Sequence, residues 1–190
     1  MKSKQKLYLA AVQLFKSKGY ENTTIQEIAE GAGVTERTFY RQFKDKSDVL
    51  FDSENMLGQE IAGYLSENDA FSDNPLELLV KALIQVQVFD KDREQSIART
   101  KIVQSHPDLR ERELLKMEDL ALFLTSEMIE KGAQFQNGES VIFDKNHSEL
   151  AVRVALQFFH LAFSNWLVDG NQTFGAHVKA VYQEFLGLIS

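Results

Sequence analysis

The chain of 190 residues contains no cysteine, which removes disulfides, thiolate nucleophiles and cysteine-based zinc sites. Two prolines and ten glycines are too few for the closely spaced turns of an all-β sandwich. No run of eighteen or more residues is free of charge, so no membrane span is predicted. The basic start Met1-Lys2-Ser3-Lys4-Gln5-Lys6 runs into an amphipathic segment without an apolar signal block, and a cytoplasmic protein is expected. Catalytic patterns are missing too. His106, His147, His160 and His177 form no His-x-x-x-His pair and no HExxH, and there is no Gly-x-Ser-x-Gly elbow, phosphate-binding glycine loop or dinucleotide fingerprint. No enzyme, metal site or cofactor is expected.

What is present is ordinary globular material, 44% apolar and 26% charged, enough to bury a core. The net charge of −7 is unevenly spread. Residues 1–50 hold nine Lys/Arg against six Asp/Glu, and the remainder holds twelve against twenty-two. A basic beginning on an acidic chain is the asymmetry expected when one end meets a polyanion.

Apolar spacing reads as helix almost throughout. Leu7, Ala10, Ala11, Leu14 and Phe15 form an i, i+3, i+4, i+7, i+8 stripe, closed by Gly19 after Lys16 and Lys18. Thr24-Ile25-Gln26-Glu27 has the form of a capping box and opens a second, short helix ended at Gly33. Thr35 caps a third over 36–42, with Phe39 and Phe43 facing inward and Glu36, Arg37, Tyr40 and Arg41 facing out. A polar turn at 44–47 leads to a fourth helix, about 46–66, whose expected buried residues are Val49, Leu50, Met56, Leu57, Ile61 and Leu65. After a linker at 68–74, helices are predicted from Pro75 to about Phe89, from Asp92 to about Gln104 and from Pro107 to Gly132. An irregular stretch at 133–147 follows, including Val141-Ile142-Phe143, and then two last helices, Ser148–Asp169 and Thr173–Ser190. Those two are apolar over more than one narrow stripe, as expected if a second chain covers part of them. The fold class is all-α with about nine helices: a head over 1–50, helix four as connector, and a larger helical domain over 51–190.

Three short helices with a polar face on the third make a helix-turn-helix, in which the third helix enters the major groove and the second crosses the phosphate backbone. The residues Leu9-Ala10-Ala11-x-x-Leu14-Phe15-x-x-x-Gly19-Tyr20-x-x-Thr23-Thr24-x-x-x-Ile28-Ala29-x-x-Ala32-Gly33-Val34-Thr35-x-x-Thr38-Phe39-Tyr40-x-x-Phe43-x-x-Lys46-x-x-Val49-Leu50 closely resemble the DNA-binding domain of TetR-family transcriptional regulators. The resemblance covers about residues 5–51. It implies a homodimer on a near-palindromic, double-stranded operator, usually a repressor released by a small molecule held in the C-terminal domain. Carried over position by position, it implies that Thr24 and Gln26 meet DNA from helix two and that Glu36 and Arg37 fall where bases are read. Thr35, Thr38 and Tyr40 match backbone-contacting positions, with Gln42 at the end of the same helix. Lys46 matches a phosphate-binding lysine at the start of helix four. Arg41 stands at a variable position, and a backbone contact is expected. Arg37 departs from the family's common glycine, and Glu36 from its usual small or polar residue. Glu36 either accepts from a cytosine amine or pairs with Arg37 or Arg41 on the helix surface.

The C-terminal part is rich in aromatic residues, and Phe89, Phe123, Phe159, Phe163 and Trp166 are candidate walls of a pocket for a small apolar or amphipathic ligand. The same spacing also suits ordinary core. His160 and Asn165 fall on these aromatic faces, His160 either orienting a ligand or buried with its own hydrogen bonds. Arg99, Lys101, Arg110, Arg112 and Arg153 are candidates for binding an anionic ligand group. Dimerisation is expected through the last two helices. The alternative to a regulator is a helical adaptor whose head no longer binds DNA; Thr24, Tyr40, Lys46 and the basic local charge argue against it.

Overall fold

The computed structural model describes residues 2–67, 74–134 and 144–190. Among these the chain is all-α, with nine α-helices and one 3-10 turn. The order is α1 (Ser3–Lys18), α2 (Ile25–Gly31), α3 (Glu36–Gln42), the 3-10 turn (Asp48–Phe51), α4 (Asp52–Glu67), α5 (Pro75–Ile84), α6 (Arg93–Ser105), α7 (Pro107–Gln134), α8 (Lys145–Val168) and α9 (Phe174–Ile189). No described helix is long and apolar enough to cross a membrane.

Local chemistry sets most boundaries. Gly19 ends α1 at φ 88°, its amide donating to the Phe15 carbonyl, a conformation that disfavours any side chain. Thr24 caps α2 with a full capping box, and Thr35, Asn74, Asp144 and Thr173 cap α3, α5, α8 and α9 through side-chain oxygens. Gly33, at φ 66°, makes the turn between α2 and α3.

Two helices depart most from the expected limits. The fourth does not begin near residue 46, because the Asp45 carboxylate accepts the amides of Ser47 (2.8 Å) and Asp48 (3.0 Å) and starts the 3-10 turn instead. Helix α5 stops at Ile84 rather than near Phe89; the Glu60 carboxylate takes the amides of Gln87 (2.7 Å) and Val88 (3.2 Å), which would otherwise extend it. Of the expected linker at 68–74 only Asn74 is described. The irregular stretch expected at 133–147, with Val141-Ile142-Phe143, lies outside the described residues from 135 to 143, and Lys145 already belongs to α8.

The chain forms two compact units, Met1–Ser53 with Glu94–Lys116, and Glu54–Arg93 with Met117–Ser190. The first is larger than residues 1–50, because its core draws on distant sequence. Leu7, Ala11, Phe15, Ile28, Phe39, Phe43 and Leu50 pack with Ala98, Ile102, Val103 and Leu109. Arg99 is buried in this unit, its Nε donating to the Leu50 carbonyl (2.7 Å) and one terminal nitrogen to Glu113 (2.9 Å), with the guanidinium over the Phe51 ring. In the second unit α5, α8 and α9 surround a core that includes Leu79, Leu83, Val152, Phe159, Trp166 and Val178. Gly175 is required there: a Cβ at this position would sit 2.2 Å from the Ile84 carbonyl oxygen. Met56, expected inside, is 40% exposed.

Candidate nucleic-acid interface

The head presents α3 on an aromatic footing. Phe39 and Phe43 are buried with ring centres 5.6 Å apart, so the helix is held from beneath. The i, i+4 geometry that buries these rings turns Glu36, Arg37, Tyr40 and Arg41 outward, and all four are exposed. Tyr40 is 57% exposed, with its ring edge-on to that of Phe39 and the centres 5.7 Å apart. Among the described residues, Glu36, Arg37 and Arg41 have no ion pair or hydrogen bond through their side chains. The pairing of Glu36 with Arg37 or Arg41, one of its two expected roles, is not formed. Thr35 is exposed, and its hydroxyl accepts the Thr38 amide (3.3 Å) and lies 3.1 Å from the Thr38 hydroxyl. Thr38 and Gln42 are half-buried.

On α2 the polar groups are already engaged. The Glu27 carboxylate takes the Thr24 amide (2.9 Å) and hydroxyl (3.1 Å) and is bound by the Lys18 ammonium. The Lys18 hydrogen bond, followed by that from the Thr24 amide, holds the Glu27 carboxyl down at about 2. The exposed Gln26 donates its amide to Glu30 (2.9 Å).

Lys46 is not at the start of α4; it lies in the turn before Asp48, facing the α1–α2 loop. Its ammonium donates to the carbonyls of Tyr20 (2.8 Å), Glu21 (3.2 Å) and Thr23 (3.3 Å) and lies 4.4 Å from the centre of the Tyr20 ring. The flanking Asp45 and Asp48 accept from Arg112 of α7 at 2.8 and 3.2 Å. Burial opposes ionisation of Asp45, but hydrogen bonds from Ser47 and Arg112 outweigh it and lower its carboxyl below the usual range.

A capped third helix with outward polar residues, on a head of this composition, matches a model of bacterial regulatory proteins, tetR family, over residues 7–52. Residues 7–52 thus carry a tetR-family head. It is 35% identical over 88 residues to the HTH-type transcriptional regulator AcrR of Shigella flexneri, covering 44% of this chain and 40% of that one. It is 30% identical over 109 residues to the HTH-type transcriptional repressor BepR of Brucella suis, covering 54% of this chain and 50% of that one. The matched stretch thus spans half or less of these relatives, which are named as regulators and not as enzymes. The solved fatty acid degradation regulator FadR of Bacillus halodurans is alike in fold, with a TM-score of 0.59 at 24% identity, covering 98% of this chain and 96% of that one.

The candidate ligand residues divide. Phe89, Phe159, Phe163 and Trp166 do come together, with Phe174, but as mutual packing: Phe89 lies 5.0 Å from Phe163, 5.2 Å from Phe174 and 5.7 Å from Phe159. The Trp166 indole N–H donates to Asp90 (2.9 Å), which also accepts the Phe174 amide (3.0 Å) and so ties this cluster to the start of α9. Phe123 stands apart on α7, 41% exposed, against the backbone of Gly58. His160 is not the buried, hydrogen-bonded histidine expected, and Asn165 is not enclosed; both are exposed on α8. Four of the five candidate anion-binding cations are already used within the protein. Arg99 and Arg112 serve the head, Arg110 donates to the Gln104 carbonyl, and Arg153 binds Glu118 and Glu149. Sequence reasoning missed the roles of Arg99 and Arg112 because their partners lie 49 and 64–67 residues away.

Proposed function

We propose that the chain is a sequence-specific, dimeric DNA-binding transcriptional regulator, a repressor released from a near-palindromic operator by a small apolar or amphipathic ligand. The observation that carries this reading is the outward face of α3, where Arg37, Tyr40 and Arg41 stand exposed on a rigid aromatic base. Side chains that a protein does not use internally, set on a helix narrow enough for the major groove, suit a duplex. In this reading Arg37 bonds a guanine and Glu36 accepts from a cytosine. Thr35, Thr38, Tyr40, Arg41 and Gln42 contact the backbone, with Thr24 and Gln26 meeting the flanking phosphates from α2.

Dimerisation through α8 and α9 is supported by Leu150, Leu161 and Val168 on α8 and Leu188 and Ile189 on α9, all exposed. Two heads would then reach major grooves about 34–36 Å apart or somewhat more. That BepR is a transcriptional repressor supports repression. A ligand in the second unit acts by favouring an arrangement with wrongly spaced heads, and only to the extent that it distinguishes the two states.

The test is titration of duplexes flanking the protein's own gene, with Tyr40→Ala as control and a genomic-fragment selection alongside. Tight, footprinted, salt-sensitive binding lost in the control supports the reading; no retained fragment from either source favours the adaptor. A monomer by sedimentation at micromolar concentration overturns the dimer.

A further inference from the structure

The geometry points to Arg112 as part of the electrostatics of the interface. We propose that its guanidinium, reaching from α7, neutralises the carboxylates of Asp45 and Asp48 just beyond α3 and so lets the phosphates of a duplex approach. The inference rests on the DNA-binding reading above, to which it adds a residue outside the helix-turn-helix.

A carboxylate beside a duplex is repelled by a line of phosphates that carries one negative charge per about 1.7 Å of axis. Helix α3 ends at Gln42, and Asp45 follows three residues later, no more than about 11 Å of chain away. The Debye length at 0.1 M salt is about 10 Å, so phosphates gripped by Arg41 and Gln42 lie within the field of Asp45. The Asp45 side chain is 47% exposed, and the protein around it does not screen that field.

The two acids are there to build the turn. One Asp45 oxygen accepts the Ser47 amide (2.8 Å), the Ser47 hydroxyl (2.6 Å) and the Asp48 amide (3.0 Å), and one Asp48 oxygen accepts the Lys44 amide (3.2 Å). An uncharged acceptor could do this work, so the negative charge is a by-product of the turn. Arg112 meets it on the other oxygens, at 2.8 Å from Asp45 and 3.2 Å from Asp48, while its guanidinium lies 5.9 Å from the centre of the Phe51 ring. Lys116 stands 4.0 Å from Asp48. Burial opposes ionisation of Asp45, but the bonds from Ser47 and Arg112 outweigh it, so Asp45 keeps its full charge at neutral pH and only a cation can cancel it. Asp45, Asp48, Arg112 and Lys116 then sum to zero, and Lys44 and Lys46 leave the turn positive. Without Arg112 one of the two carboxylates has no cation against it.

The experiment measures binding of a short duplex of arbitrary sequence, at about 0.1 M salt, to the full-length protein and to Arg112→Met, Asp45→Asn and the pair combined. Asparagine at 45 keeps the oxygen that accepts Ser47 and Asp48 and removes only the charge. We expect Arg112→Met to bind about three- to tenfold more weakly, Asp45→Asn to bind more tightly by a similar factor, and the pair to return to within about twofold of wild type. An arginine that merely braces the turn predicts the opposite sign for Asp45→Asn and no rescue in the pair; either result overturns the proposal, and so does unchanged binding in Arg112→Met. If Arg112→Met does not fold, the sign for Asp45→Asn decides: tighter binding supports the proposal, and unchanged or weaker binding overturns it. A wild-type protein that binds no duplex overturns the DNA-binding reading and this proposal with it. A wild-type protein that binds, with Asp45→Asn binding no better, overturns this proposal alone.

Discussion

The outward face of α3 and the turn at 44–48 lie a few residues apart and carry similar charge, yet they treat it oppositely. On α3, Glu36, Arg37 and Arg41 point to solvent with no internal partner. In the turn, Asp45, Lys46 and Asp48 are committed to Arg112 and to loop carbonyls. A charge paired within the protein steadies the fold, and a charge with donors to spare can serve a partner. Sequence position alone does not separate the two.

The most severe way to break this comparison is to remove the base of α3. Phe39→Ala empties a fully buried site and is expected to cost about 3–5 kcal/mol, read by denaturant unfolding, with loss of duplex binding in parallel. A loss of under about one kcal/mol would show that the helix is not held from below. Next comes Arg99→Ala, which strips the Leu50 carbonyl and Glu113 of a buried partner; about 3 kcal/mol is expected. Arg37→Ala sharpens the contrast from the other side. Folding stability should change by less than about 0.5 kcal/mol, while discrimination at one base pair per half-site falls by about 1–3 kcal/mol in competition binding. An unchanged base preference would remove Arg37 from the reading role. The smallest effect concerns Glu27. Its carboxyl is depressed to about 2 from an ordinary 4.5, so its stabilising bonds are complete above the ordinary value and are lost as pH falls through the depressed one. Melting temperature should therefore decline between pH 4.5 and about 2, and Glu27→Gln should flatten that decline.

How far the sequence is readable follows from the range of each interaction. The capping box of Thr24 with Glu27 and the cap by Thr35 are complete within three residues, so the order of residues alone announces both. The same holds for the division of α3 into Phe39 and Phe43 inward and Arg37, Tyr40 and Arg41 outward. The early end of α5 is hidden, since it depends on Glu60, 27 residues before the amide it takes. The partners of Lys46 lie 23–26 residues away, and a motif match by itself assigns this lysine to phosphate. Aromatic abundance is ambiguous for a different reason. Rings that fill one another's gaps and rings that line a cavity obey the same helical period, so the sequence leaves both readings open for Phe89, Phe159, Phe163 and Trp166, and in the fold these rings pack against one another.

The first unit also bears on how such proteins exchange parts. Its core is completed by Ala98, Ile102, Val103 and Leu109, and its buried guanidinium by Arg99, all from residues 94–116. A chimera joined at a single crossover after residue 53 would leave that apolar surface facing water or an unmatched neighbour. Moving this unit intact to another body calls for two grafts, residues 1–53 and 94–116.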